Sequence, residues 1–138
     1  MKGALVDTGF LVALFRAREK YNIAATRYLA AHRMPLLTVA PVLVETAFFL
    51  GAAGKRNLLE WVGRGAMRVV EWSPSAFPAT AAIIARYADR DIDLADAALI
   101  WLAGETGFTS ILTLDEQDFS VYRLARGKRF ELTDWGAK

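Results

Sequence analysis

The sequence contains no cysteine. That excludes a disulfide framework, a thiolate zinc site and a cysteine nucleophile, and it suits a cytoplasmic protein. Histidine is nearly absent too. His32 stands alone, after a predicted helix that bears none of the acids considered below, and is read as incidental. Long hydrophobic runs are also missing. No apolar stretch reaches the roughly 20 residues that cross a bilayer, because Glu45 and Asp96 interrupt the longest candidates. The N-terminus meets Asp7 before a signal-like apolar run develops, so no membrane association is expected. An excess of either sign of charge is missing: the formal net charge is +2, too mild by itself to announce a nucleic-acid binder. Neither a dinucleotide fingerprint nor a Walker A loop is present, since Gly51, Gly54, Gly63 and Gly65 lack the required spacing after a strand.

What is present is enough apolar material for a real core, 54% of 138 residues. That length suits one domain over residues 1–138, with no internal repeat, linker or low-complexity tract. Short apolar strands are predicted at Ala4–Val6, Leu36–Val39, Arg68–Trp72 and Thr109–Thr113, with a short edge strand at 130–132. Between them lie predicted helices over Gly9–Phe15, 21–31, Val42–Leu50 with Pro41 in the first turn, Leu58–Val62, 76–88 and Ile92–Gly104. Strands alternating with helices predict an α/β fold with a parallel sheet covered on both faces.

Four segments place acids in expensive positions. Asp7 ends the first strand, where α/β proteins usually bind ligands; a helix cap is the alternative. Glu45 lies in a helix that is apolar nearly all round, so burial there demands a cation or a hydrogen-bond partner. Asp96 sits among small apolar residues, with Asp93 three positions earlier near the helix start; helix capping is the plainer role for Asp93 and a place beside the site the other. Asp115 and Asp118 follow the fourth strand in what reads as a strand-end loop, with an Asx turn or a helix cap as the plainer role. The hydroxyls of Thr8 and Thr113 are candidates to orient a carboxylate or a water.

Phosphate chemistry gives a reason to gather such acids. Carboxylates repel one another unless cations neutralise them, and hard oxygen ligands suit Mg2+ or Mn2+. An ion so held activates water and stabilises charge on a scissile phosphate, and no histidine base is then needed. Arginine outnumbers lysine, and Arg16, Arg18, Lys20, Lys55, Arg56, Arg123, Arg126, Lys128 and Arg129 lie near proposed segment ends. These are either ordinary surface charges or phosphate contacts.

The segments Leu5-Val6-Asp7-Thr8, Val42-Leu43-Val44-Glu45-Thr46, Leu94-Ala95-Asp96-Ala97 and Leu112-Thr113-Leu114-Asp115-Glu116-Gln117-Asp118-Phe119, in that order, resemble a PIN domain, specifically a VapC-like type II toxin ribonuclease. The resemblance covers essentially the whole chain. It implies a three-layer α/β/α sandwich with a central, mainly parallel sheet and an Mg2+ or Mn2+ site at the strand ends. It implies that Asp7, Glu45 and Asp96 hold the metal, joined by Asp115 or Asp118. Asp93 is an added acid beside the third segment, which either tunes the site or begins the helix, and Thr8 and Thr113 stay candidates for supporting places on the residue reading above. It further implies an RNA substrate, a homodimer and a cognate antitoxin protein. Trp61, Trp72, Trp101 and Trp135 are candidates for core or interface.

Two other classes of function compete. One is a noncatalytic RNA- or protein-binding module of the same fold, or an RNA-processing nuclease that is not a toxin. The other is a different Mg2+-dependent enzyme, a phosphatase or a phosphoacceptor domain. A phosphoacceptor wants a lysine beside its aspartate, and Lys2, Lys20, Lys55, Lys128 and Lys138 include none at a late strand end.

Overall fold

A computed structural model describes residues 3–137; Met1, Lys2 and Lys138 lie outside the described residues. The elements run β1 (Ala4–Val6), α1 (Thr8–Phe15), α2 (Asn22–Ala31), β2 (Leu36–Val39), α3 (Ala40–Ala47), α4 (Ala52–Gly63), β3 (Arg68–Val70), α5 (Ala76–Arg86), α6 (Leu94–Thr106), β4 (Ser110–Leu112), α7 (Glu116–Val121) and β5 (Glu131–Leu132). Short 3-10 turns occupy Ala88–Arg90 and Ala125–Gly127.

The five strands form one sheet in the order β3-β2-β1-β4-β5, and every adjacent pair is parallel. Helices cover both faces, so the expected α/β/α sandwich holds. The central strand β1 is accordingly apolar throughout and all of it is buried, as expected of a strand covered on both sides. From β1 the chain moves to β2 and β3 on one side, then returns to β4 on the other. This reversal opens a crevice beyond the carboxyl ends of β1 and β4, the usual ligand position in open parallel sheets.

Helix α6 is the centre of the core. Each residue from Ala95 to Ala103 is buried, and the helix packs against α3, α5 and β2. Removing side chains such as Leu99 and Leu102 from water stabilises by roughly 1.5–3 kcal/mol each. The small side chains of Ala95, Ala97 and Ala98, all buried, allow close approach at the end that carries Asp96. The helix begins at Leu94, later than the predicted Ile92, because the Asp93 carboxylate caps it by accepting the Asp96 N–H at 2.8 Å. It continues through Gly104 to Thr106 and stops where Gly107 turns left-handed at φ 76°. Gly104 is therefore an interior helical residue rather than a stop.

Other boundaries also moved. Helix α3 ends at Ala47 instead of Leu50, because the N–H groups of Phe48, Phe49 and Leu50 bond the carbonyls of Glu45, Thr46 and Ala47 in a tighter turn. Gly51 then caps α4, which starts six residues before the predicted Leu58. The apolar character of α3 does not mean burial on every side: Val44 is 60% exposed and Phe48 83%. Strand β3 stops at Val70 and α5 at Arg86. The largest miss is α7, six residues long, where a loop was expected. Asp115 caps it through a 3.0 Å bond from the Asp118 N–H, so the cap was legible but not the helix behind it. No described helix is long and apolar enough to cross a membrane.

Candidate metal centre

Each acid reaches the crevice for a local reason. Asp7 follows β1 directly, and its N–H bonds the Leu112 carbonyl at 3.0 Å, which continues the β1–β4 ladder to the aspartate. Thr8 opens α1, and its hydroxyl donates to Glu45 Oε1. Glu45 comes from the second turn of α3, which starts with no intervening loop after β2. Asp93 and Asp96 come from the start of α6, and Asp115 from the N-terminus of α7. Asp7, Thr8, Gly9, Glu45, Phe49, Asp93, Asp96, Leu114 and Asp115 line one cleft of about 410 Å³.

Two hydroxyls and an indole order this cleft. Thr113, buried at the end of β4, donates to Asp7 Oδ2 at 2.7 Å and accepts the Asp115 N–H at 2.9 Å. Its carbonyl in turn accepts the Trp135 indole N–H at 3.0 Å. The Tyr122 hydroxyl donates to Asp96 Oδ2 at 2.6 Å. These partners hold the carboxylates at fixed angles, as residues surrounding a metal site commonly do.

The electrostatics are those of crowded, desolvated acids. Burial raises Asp7 to about 6, and the charges of Glu45 and Asp93 add to the rise against hydrogen bonds from Thr113 and the Thr8 backbone. Burial likewise lifts Asp96 to about 8, helped by Asp7, Asp93 and Asp115 and opposed by the Tyr122 hydrogen bond. Asp115 is also raised, first by burial. Such a cluster favours protons or cations.

Oxygens of Asp96, Asp115 and Asp118 come within 4.8 Å of one another. Asp118 does not line the cleft that holds Asp7 and Glu45, and its Oδ1 accepts a 2.9 Å bond from Arg90. Asp96 and Asp115 are thus common to both groupings, while Asp118 lies on the flank against a guanidinium. An all-carboxylate donor set, raised toward neutrality first by burial and then by mutual repulsion, fits a hard divalent cation such as Mg2+ or Mn2+.

All the acids singled out in the sequence therefore meet at or beside this crevice, along with Thr8 and Thr113. Glu45 is half-buried rather than enclosed, and its answering partner is the Thr8 hydroxyl, not a distant cation. Among the described residues, none that lines the cleft is basic. The cation that does reach the cluster, Arg90, is not among the nine basic residues named above. Of those, Arg56 pairs with Glu60 at 3.9 Å and Arg123 bonds the carbonyls of Ser120, Val121 and Tyr122. Arg90, Tyr122 and Trp135 were missed as partners of the acids because each reaches its partner across the fold rather than along the chain. His32 stacks on Tyr28 at the end of α2, away from the cleft. Trp101 and Trp135 are buried, while Trp61 and Trp72 pack against the core from its edge.

Ribonuclease VapC26 of Mycobacterium tuberculosis (strain ATCC 25618 / H37Rv) is 28% identical over 130 residues, covering 91% of this chain and 96% of that protein. In fold, the chain is similar to the crystal structure of Mycobacterium tuberculosis VapC20, a sarcin-ricin loop cleaving toxin. The TM-score is 0.70 at 21% identity, over 83% of this chain and 92% of that one. The model of the PIN domain matches residues 4–125, a span that holds every cleft-lining acid, and the chain belongs to the PIN domain family.

Proposed function

We propose that this protein is an Mg2+- or Mn2+-dependent endoribonuclease and the toxin of a type II toxin–antitoxin pair, acting in the cytoplasm. The observation that carries the reading is the convergence of Asp7, Glu45, Asp96 and Asp115, from four separate elements, on one cleft. Similarity to a VapC ribonuclease over nearly the full length of both chains supports RNA as the substrate class.

In this reading the four carboxylates hold the cation, directly or through water, and Asp118 is an outer member of the set. When bound, the ion supplies Lewis-acid activation of water and neutralises charge building on the phosphate. Thr113 keeps Asp7 oriented, and Thr8 does the same for Glu45. The reaction adds water across one P–O bond: the water oxygen bonds phosphorus, the ester oxygen departs, and the water's proton is passed on to solvent or to the departing oxygen. Among the described residues no lysine or arginine lines the cleft, so unneutralised acids repel RNA, and cation binding is a condition for substrate entry. A second copy of the chain and a cognate antitoxin belong to the same proposal. The exposed Val44, Phe48 and Phe49 on and beside α3 supply apolar area for protein contact.

The test is cleavage of a mixed cellular RNA pool by purified protein, with and without chelator. Cleavage that needs Mg2+ or Mn2+ and drops by more than about 100-fold in Asp7→Asn and Asp96→Asn is expected, a larger loss than a change around the ligands typically causes. Full rates in metal-free buffer, or in those variants, would refute the mechanism.

A further inference from the structure

We infer that Tyr122 is a positioning residue for Asp96: its buried hydroxyl engages one carboxylate oxygen and thereby sets the other for a divalent cation. The inference rests on the metal reading proposed above.

Tyr122 is 2% exposed, and its hydroxyl donates to Asp96 Oδ2 at 2.6 Å. A phenylalanine would fill the same volume without burying a hydroxyl, so packing does not account for the oxygen; Asp96 does. The ring cannot easily swing away. Tyr87 and Phe119 meet it edge-on, each at 5.2 Å between centroids, and Phe119 is itself held by Phe130 at 5.2 Å.

The position in the chain matters as much as the contact. Tyr122 closes the helix that begins at Asp115 and includes Asp118, and its N–H bonds the Asp118 carbonyl at 3.2 Å. One short helix thus offers two carboxylates at one end and, at the other, the hydroxyl that steers a third carboxylate on α6. The phenol couples the spacing of Asp96 to that of Asp115 and Asp118, whose oxygens lie within 4.8 Å of one another. Groups that orient a ligating carboxylate in this way commonly change metal affinity by about 10–100-fold when removed.

The experiment is calorimetric titration of Mn2+ into the full chain without RNA, comparing wild type with Tyr122→Phe and Tyr87→Phe. Tyr87 is the control: its hydroxyl accepts the Arg123 N–H and its ring packs on Tyr122, whereas the hydroxyl that bonds Asp96 is that of Tyr122. Tyr122→Phe should bind Mn2+ about 10-fold more weakly with its fold retained by circular dichroism. Tyr87→Phe should bind like wild type, and excess Mn2+ should restore the cleavage rate of Tyr122→Phe. Equal affinity in wild type and Tyr122→Phe overturns the inference and leaves the nuclease reading standing, as does an equal loss in both variants. A wild-type protein that binds no Mn2+ overturns the metal reading and this inference together.

Discussion

The Thr113 hydroxyl donates to Asp7 Oδ2 at 2.7 Å, joining residues 106 positions apart in the chain. The bond is buried, and the Thr113 hydroxyl oxygen also accepts the Asp115 N–H, so one side chain ties the ends of two adjacent strands to two acids. Replacing Thr113 with valine keeps the shape and removes the hydroxyl. Such a loss costs roughly 1–3 kcal/mol when a buried partner is left unsatisfied and about 10–100-fold in activity when the partner is a metal ligand. Thr113→Ser should recover most of both. Urea unfolding and cleavage rates on the same preparations would check this, and a valine variant indistinguishable from wild type in both would contradict it.

Gly9 lets the start of α1 lie close against Leu114. A Cβ at this position would lie 3.0 Å from Leu114 Cβ and 3.2 Å from Leu114 Cδ1. Gly9→Ala gains helix propensity, about 1 kcal/mol, but pushes the start of α1 away from the loop after β4, at a cost of about 1–3 kcal/mol. The net expectation is a less stable protein with a wider cleft. Because the clash includes Leu114 Cβ, Leu114→Ala should not relieve it, whereas Leu114→Gly should. Melting temperatures of the single and double variants decide the matter.

The acid cluster makes metal-free stability depend on pH in an unusual direction. Asp7 moves from 3.8 to about 6 and Asp96 from 3.8 to about 8 on folding. Between those limits the folded chain binds protons that the unfolded chain releases, so stability falls as pH rises through the two folded values. From pH 5 to pH 8.5 the combined loss from these two groups is on the order of a few kcal/mol, which lowers the melting temperature by several degrees. Mg2+ should oppose the fall, and by more at the higher pH. Asp96→Asn should flatten the dependence and raise metal-free stability at pH 8.5. Calorimetric melts across this range would show it; a metal-free protein that gains stability with rising pH would contradict the assignment.

Arg90 bonds Asp118 Oδ1 at 2.9 Å beside the acid cluster. The pair is partly exposed, so its loss should change stability little. Its removal should instead change metal binding, because it takes a positive charge from the flank of a cation site and frees a carboxylate. Arg90→Gln is expected to bind Mn2+ a few times (about 2–10-fold) more tightly at low salt, an effect that fades as salt screens it. Weaker binding in this variant would show that Arg90 supports the site by ordering Asp118.

Much of this architecture was legible along the chain. Alternating apolar strands and helices dictated a parallel sheet, and Asp7 at the end of the first strand pointed to the crevice. Costly positions for Glu45 and Asp96 marked them without knowledge of their partners. Where local pattern was weak, boundaries slipped. The helix at Glu116–Val121 has only six residues, too short for a 3.6-residue period to declare itself. Helix α3 was read as enclosed because its sequence is apolar on every side. Composition reports hydrophobicity, not what covers it, and Val44 and Phe48 are in fact exposed.

By itself, the sequence determined the order of the strands and of the helices other than α7, the apolar strands and the set of acids, because each follows from local periodicity, capping chemistry and the cost of burying charge. Only the tertiary structure decided which partners those acids have. Thr113 on Asp7, Tyr122 on Asp96, Thr8 on Glu45 and Arg90 on Asp118 are contacts between residues far apart in the chain. They depend on how strands register and helices pack, and a hydrogen bond set by that packing leaves no trace in the spacing of residues along the backbone.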